Sequence, residues 1–114
     1  MPFVTIHTGA ALTEQAKREL AAELGRIIAV IPGKHSGNLM LTIVDDVFMA
    51  YGDKDGKKCL NMNVQLFKPA AKADKDALVE QCTELFGRVC GTPPDCVYVN
   101  IIELDNWGVG GIFK

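Results

Sequence analysis

One pattern occurs twice in this chain, and few folds can accommodate the repetition. Moving the first half along by 58 residues superimposes Val4 on Met62, Ile6 on Val64, Leu20 on Leu78, Ile27 on Leu85, Ile31 on Val89, Gly33 on Gly91, Leu41 on Val99 and Ile43 on Ile101. Each half reads strand, helix, strand. Alternation over Phe3 to Thr8 gives the first strand, and Thr13 offers a helix N-cap with Glu14 and Gln15 behind it. Leu20, Leu24, Ile27, Ile28 and Ile31 follow at helical spacing until Pro32-Gly33 stops the helix, and a second strand runs from about Leu39 to Val44. Beyond the turn-rich Gly52 to Lys58, the pattern returns: a strand from Cys59 to Phe67, a helix from about Asp74 to Cys90, and a strand from Val97 to Glu103. The chain is therefore expected to be a single domain, 1–114, with a pseudo-repeat of 1–51 and 59–105 and a C-terminal tail of 106–114.

Two βαβ units define the fold class as α/β (α+β). A crossover helix makes each strand pair parallel, and right-handed connections put both helices on one face of a four-stranded mixed sheet. Strand alternation then sorts the faces. Val4, Ile6, Leu41, Ile43, Met62, Val64, Val99 and Ile101 face the helices, which leaves Thr5, His7, Met40, Thr42, Asn61, Asn63, Gln65, Tyr98 and Asn100 opposite. That second face is polar but carries no Lys, Arg, Asp or Glu. It is either a solvated face that happens to lack charge or an internal, hydrogen-bonded surface between subunits.

Composition excludes several function classes. A hydrophobic content of 48% rules out a disordered chain. A net charge of -2 with a pI near 5.6 supplies no electrostatic footprint for nucleic acid or an anionic membrane. No apolar run approaches the ~18 residues of a membrane span, and no basic region followed by an apolar run opens the chain, so a cytoplasmic location is expected, with non-classical export left open. Cys59, Cys82, Cys90 and Cys96 form no C-x-x-C pair, and His7 and His35 lie far from them, so neither a metal site nor a redox motif of that kind is indicated. Cys82 falls on the apolar stripe of the second helix and reads as a buried structural thiol. The tail "NWGVGGIF" (Asn106 to Phe113) is either a short edge strand reaching a neighbouring subunit or a frayed end.

Pro2 raises the chemical question. Proline is tolerated at the first position of a strand, where its missing N–H is not needed. Removal of Met1 would instead leave Pro2 as a free secondary amine, a base that no internal residue can supply.

These features together form a recognisable set: "MPF" at the N-terminus, Gly33-Lys34 after the first helix, "DDVFMAYG" (Asp45 to Gly52), "PPDCVYVN" (Pro93 to Asn100) and "NWG", in that order within a doubled βαβ chain. The chain resembles the tautomerase superfamily, specifically the macrophage migration inhibitory factor family, over essentially its full length. The resemblance implies a tautomerase-like fold, a homotrimer whose sheets enclose a channel, and cofactor-free interconversion of enol and keto forms of phenylpyruvate-like 2-oxo acids. By position it implies that Pro2 is the general base and then acid, and that Lys34 holds the substrate carboxylate. Phe67 would offer its backbone N–H to the same carboxylate, while Tyr98 and Asn100 would line the pocket of a neighbouring subunit. The chain departs from the family's aromatic wall, with Asn38 and Val109 where aromatics are expected. The family's C-x-x-C is here Cys59-Leu60-Asn61-Met62, so no thiol-disulfide activity is carried over.

A base that shuttles a proton between carbon and oxygen works best with a pKa near the working pH. Burial among apolar atoms and a nearby cation both disfavour a protonated amine. Phe3 with Ile112 or Phe113 is expected to supply the apolar surroundings and Lys34 the cation. Competing readings are hydration, dehalogenation or decarboxylation of unsaturated acids, and a binding protein that is either cytokine-like with a vestigial pocket or a ferredoxin-like regulatory module. The hydration-type relatives add arginines and a carboxylate to orient water, and the segments flanking Lys34 offer neither.

Overall fold

A computed structural model describes all residues, 1–114. Strand β1 (Pro2–Thr8) leads to helix α1 (Glu14–Ile27) and strand β2 (Met40–Val44); β3 (Leu60–Phe67), α2 (Lys72–Cys90) and β4 (Val97–Leu104) repeat the unit. The sheet order is β2-β1-β3-β4, with β1 parallel to β2, β3 parallel to β4, and β1 antiparallel to β3. The repeat is kept to the residue. Phe3 pairs with Met40 and, 58 positions later, Asn61 pairs with Tyr98. Across the centre Thr5 pairs with Asn63, its own counterpart in the second unit, so a pseudo-twofold axis passes through that pair.

The hydrophobic pattern sets this register, because slipping a strand by one residue would turn its apolar set to the wrong face. Val4, Ile6, Met62 and Val64 are almost wholly buried beneath Leu20, Leu24 and Ile27 of α1 and Leu78, Cys82, Leu85 and Phe86 of α2. Leu41, Ile43, Val99 and Ile101 extend that core along the outer strands, half-buried. Burial alone pushes the Cys82 thiol up to about 12, as suits a structural thiol.

Local signals place both helices. The Thr13 hydroxyl accepts the Ala16 N–H at 3.0 Å, Glu14 stands in the first turn and Arg26 in the last. Thr13→Ala should therefore lower stability by about 1 kcal/mol, read as a shifted denaturation midpoint at unchanged m-value. An unchanged midpoint would show that the cap contributes nothing here. Gly91 ends α2 at φ +69°, a conformation suited to glycine, and its N–H returns to the Gly87 carbonyl. Helix α2 starts at Lys72, two residues earlier than the sequence indicates, with no side-chain cap to mark it.

The tail neither frays nor joins the main sheet. Gly108–Val109 (β5) and Ile112–Phe113 (β6) pair with each other, and Gly110 and Gly111, at φ +61° and +81°, make the tight turn. Trp107 and Lys114 close the hairpin by two backbone hydrogen bonds of 3.0 and 2.8 Å. No helix is long and apolar enough to cross a membrane.

Candidate functional site at the N-terminus

The first residues of β1 lie beside the last residues of β3. Pro2 pairs with Leu66, and the Phe67 N–H donates to the Met1 carbonyl at 3.4 Å. Lys34 arrives from the other side. After Pro32-Gly33 the backbone folds back, so that the Lys34 N–H meets the Ile31 carbonyl at 3.0 Å, and the Lys34 Nζ donates to the Phe67 carbonyl at 3.0 Å. Three residues from three separate segments are thus held around the terminus: Pro2, Lys34 and Phe67.

Their electrostatics act in one direction. Burial, then hydrogen bonding and repulsion from Lys34, then repulsion from Lys114, lower the terminal amine of Met1 to about 6 from an ordinary 8.0. A positive charge is disfavoured where the amine sits, so at neutral pH the amine is mostly a free base. Pro2 is one residue deeper and already buried.

Met1, Pro2 and Phe3 open onto a cavity of about 660 Å³. Its apolar wall comes from Phe3, Met40, Leu104, Trp107 and Val109, and its polar groups are the amides of Asn38, Gln65 and Asn106. Asn38 accepts the His35 N–H through Oδ1 at 3.4 Å, which leaves its Nδ2 hydrogens free to donate. No charged side chain lines the cavity. Lys34 and Phe67 flank the amine at its end.

The expectation that Ile112 or Phe113 would shield Pro2 is corrected here. Both are exposed, at 64% and 77%, because the hairpin turns β6 outward; Trp107 and Val109 face the cavity instead. Asn38 and Val109, the two departures from the aromatic wall, do both line it. Sequence analysis missed Met40, Gln65, Leu104, Asn106 and Trp107 as cavity residues. Gln65 has a findable signal: it shares the polar face of the sheet, and it pairs with Phe3.

Tyr98 and Asn100 are not brought to this cavity within one chain. Pro2 pairs with Leu66, whereas Tyr98 pairs with Asn61, five positions away and therefore roughly 17 Å along the strand. The Tyr98 ring packs on Tyr51 with centroids 5.1 Å apart, and Asn100 Oδ1 accepts from Asn61 Nδ2 at 3.4 Å. Both side chains are exposed.

No protein-family model and no curated protein sequence matches the chain. Similarity is found among solved structures. MIF2 of Leishmania major superposes with a TM-score of 0.91 at 19% identity, covering 100% of this chain and 97% of that one. A macrophage migration inhibitory factor-like protein from Entamoeba histolytica gives 0.85 at 23%, covering 99% and 98%. A fused 4-OT described as an asymmetric trimer gives 0.82 at 17%, covering 96% and 94%. All three cover 96% or more of this chain, and the chain accordingly has the fold of these MIF-type structures.

Proposed function

We propose that this protein is a cofactor-free keto-enol tautomerase of phenylpyruvate-like 2-oxo acids, acting as a homotrimer with the amine of Pro2, freed by removal of Met1, as the base. The observation that carries the reading is the position of the chain terminus. It lies at the end of an apolar cavity, beside a lysine, in surroundings that hold the Met1 amine near 6.

The chemistry follows from what these groups can do. A neutral secondary amine takes the proton from the carbon next to the oxo group and returns it to oxygen, or runs the reverse. The Lys34 ammonium pairs with the substrate carboxylate and stabilises the negative charge that develops on the enolate. Loss of Met1 also removes the carbonyl to which the Phe67 N–H donates, so that N–H becomes available to the same carboxylate. One cleavage therefore creates both the base and an anion-binding donor. The cavity wall offers no carboxylate or arginine with which to orient a water molecule, which favours tautomerisation over hydration or dehalogenation.

The trimer rests on the sheet's second face. Thr5, His7, Asn61, Asn63, Gln65 and Asn100 are uncharged, the outer positions Met40 and Tyr98 are 69% and 55% exposed, and Phe48 is 95% exposed on the following loop. A closed assembly would cover this face and present Tyr98 and Asn100 to a neighbour's Pro2.

The test is ketonisation of the enol of phenylpyruvate by wild type and Pro2→Ala, with sedimentation at the assay concentration. Turnover by a trimer, with reduced rate and a displaced pH profile in Pro2→Ala, is expected. Undiminished rates and superimposable profiles in Pro2→Ala would return Pro2 to a strand-starting role, and full activity in a monomer would remove the shared pocket.

A further inference from the structure

Two thiols stand together at the opposite end of the sheet from Pro2. Cys59 and Cys96 immediately precede Leu60 and Val97, which pair in the parallel ladder of β3 and β4. Cys59 follows the turn Gly56–Lys58 and Cys96 ends the turn Pro94–Cys96, so each stands one residue before the start of adjacent paired strands. Both share one cavity with Asn61 and Tyr98. Both are buried, at 3% and 7%, and both line one small cavity of about 110 Å³. The remaining cysteines cannot take part: Cys82 is sealed in the core and Cys90 sits eight positions further along α2.

The segments carrying the two thiols are already tied together. Lys54 Nζ bridges to Asp95 Oδ2 at 3.0 Å, and Tyr51 packs on Tyr98, so in each case a loop residue meets a residue one or two positions from Cys96. Burial first, and then the neighbouring Cys59, push the Cys96 thiol up. The spacing of the pair in the sequence gave no hint of this, because only the parallel register joins them.

We propose that Cys59 and Cys96 are an oxidisable dithiol, which a hydroperoxide converts to an intrachain disulfide. In the first step one sulfur attacks a peroxide oxygen, the O–O bond breaks, and a sulfenic acid and water (or an alcohol) result. The second thiol then attacks that sulfur, the S–O bond breaks and water leaves, so two thiols and one peroxide give one disulfide, with two hydrogens lost. The bond would clamp the turns Gly56–Lys58 and Pro94–Cys96 and fix the Tyr51–Tyr98 pair above them.

The experiment treats the native protein with hydrogen peroxide, denatures and alkylates it, and maps thiols by mass. Alkylation should fall from four cysteines to two, with a loss of about 2 Da before alkylation, a peptide joining Cys59 to Cys96, and full reversal by dithiothreitol. The Cys96→Ser chain should form no disulfide within itself. Four alkylatable thiols at a dose that oxidises free dithiothreitol, or a link mapped to Cys82 or Cys90, would overturn the assignment. Mapping the wild type needs no variant to fold, and the covalent readout is independent of any tautomerase turnover.

Discussion

A preparation in which a residue is kept in front of Pro2 should lose tautomerase turnover by roughly a hundredfold to ten-thousandfold, the contribution of a positioned general base. The reason is electronic before it is steric. While Met1 remains, the Pro2 nitrogen is an amide whose lone pair is delocalised into the carbonyl, and it cannot accept a proton at neutral pH. Met1 also occupies the cavity end, and its carbonyl holds the Phe67 N–H at 3.4 Å. Blocking therefore removes the base, fills part of the substrate space and ties up an anion donor together. The comparison pairs fully processed protein with a variant carrying one extra leucine between Met1 and Pro2, which protects the initiator from removal, each verified by intact mass. Equal kcat/KM would show that Pro2 is not the base. It would direct attention to the terminal amine itself, which stands near 6 even on Met1.

The doubled fold was legible because its determinants are local and periodic. The alternation of Val4 and Ile6 and the stripe from Leu20 to Ile31 recur at a fixed offset, and strand pairing within each unit follows from the crossover geometry, although α1 ends at Ile27 and continues only as a 3-10 turn, Ile28–Val30, so Gly33 does not stop an α-helix as Gly91 does. The antiparallel pairing of β1 with β3 joins the two units, and no local residue encodes its register. Only packing against both helices sets Thr5 opposite Asn63. The site divides in the same way. Pro2 and Lys34 could be named from motif order, but the cavity wall depends on how the last nine residues turn. Gly110-Gly111 between Val109 and Ile112 is a hairpin signal, and it decides that Val109 faces inward while Phe113 does not. Tyr98 and Asn100 lie beyond reach of Pro2 in a single chain, so any contribution from them requires assembly, a property spread over a whole sheet face. That Cys59 and Cys96 come to line one cavity likewise follows from register, invisible to any spacing rule.

Replacing Lys34 by alanine should reduce kcat/KM for 2-oxo acids about tenfold to a hundredfold, from loss of a charge-assisted bond of roughly 1.5 to 3 kcal/mol. Its effect on pH dependence is the more diagnostic. Lys34 lowers the amine of Met1 both by hydrogen bonding and by charge, second only to burial, and the freed Pro2 amine is expected to feel the same two effects in the same direction. Both effects disfavour the protonated amine, so removing them raises its pKa toward the ordinary value, while burial and Lys114 keep part of the depression. Catalysis needs the amine neutral. The rate therefore climbs as pH rises through the amine's pKa, and the climb in Lys34→Ala should begin at higher pH than in wild type. Activity lost at low pH should accordingly be greater than activity lost above neutrality, where both amines are unprotonated and only the missing carboxylate contact remains. Lys34→Arg keeps the charge and should keep the limb near its wild-type position, even if the altered head group binds the carboxylate less well. The measurement is kcat/KM against pH for the three proteins, with an enol substrate that does not ionise in the range and Met1 removal checked by mass. Profiles that differ in height but share one acidic limb would leave Lys34 as a binding residue only, with base tuning due to burial. Equal heights and limbs would move the carboxylate site elsewhere.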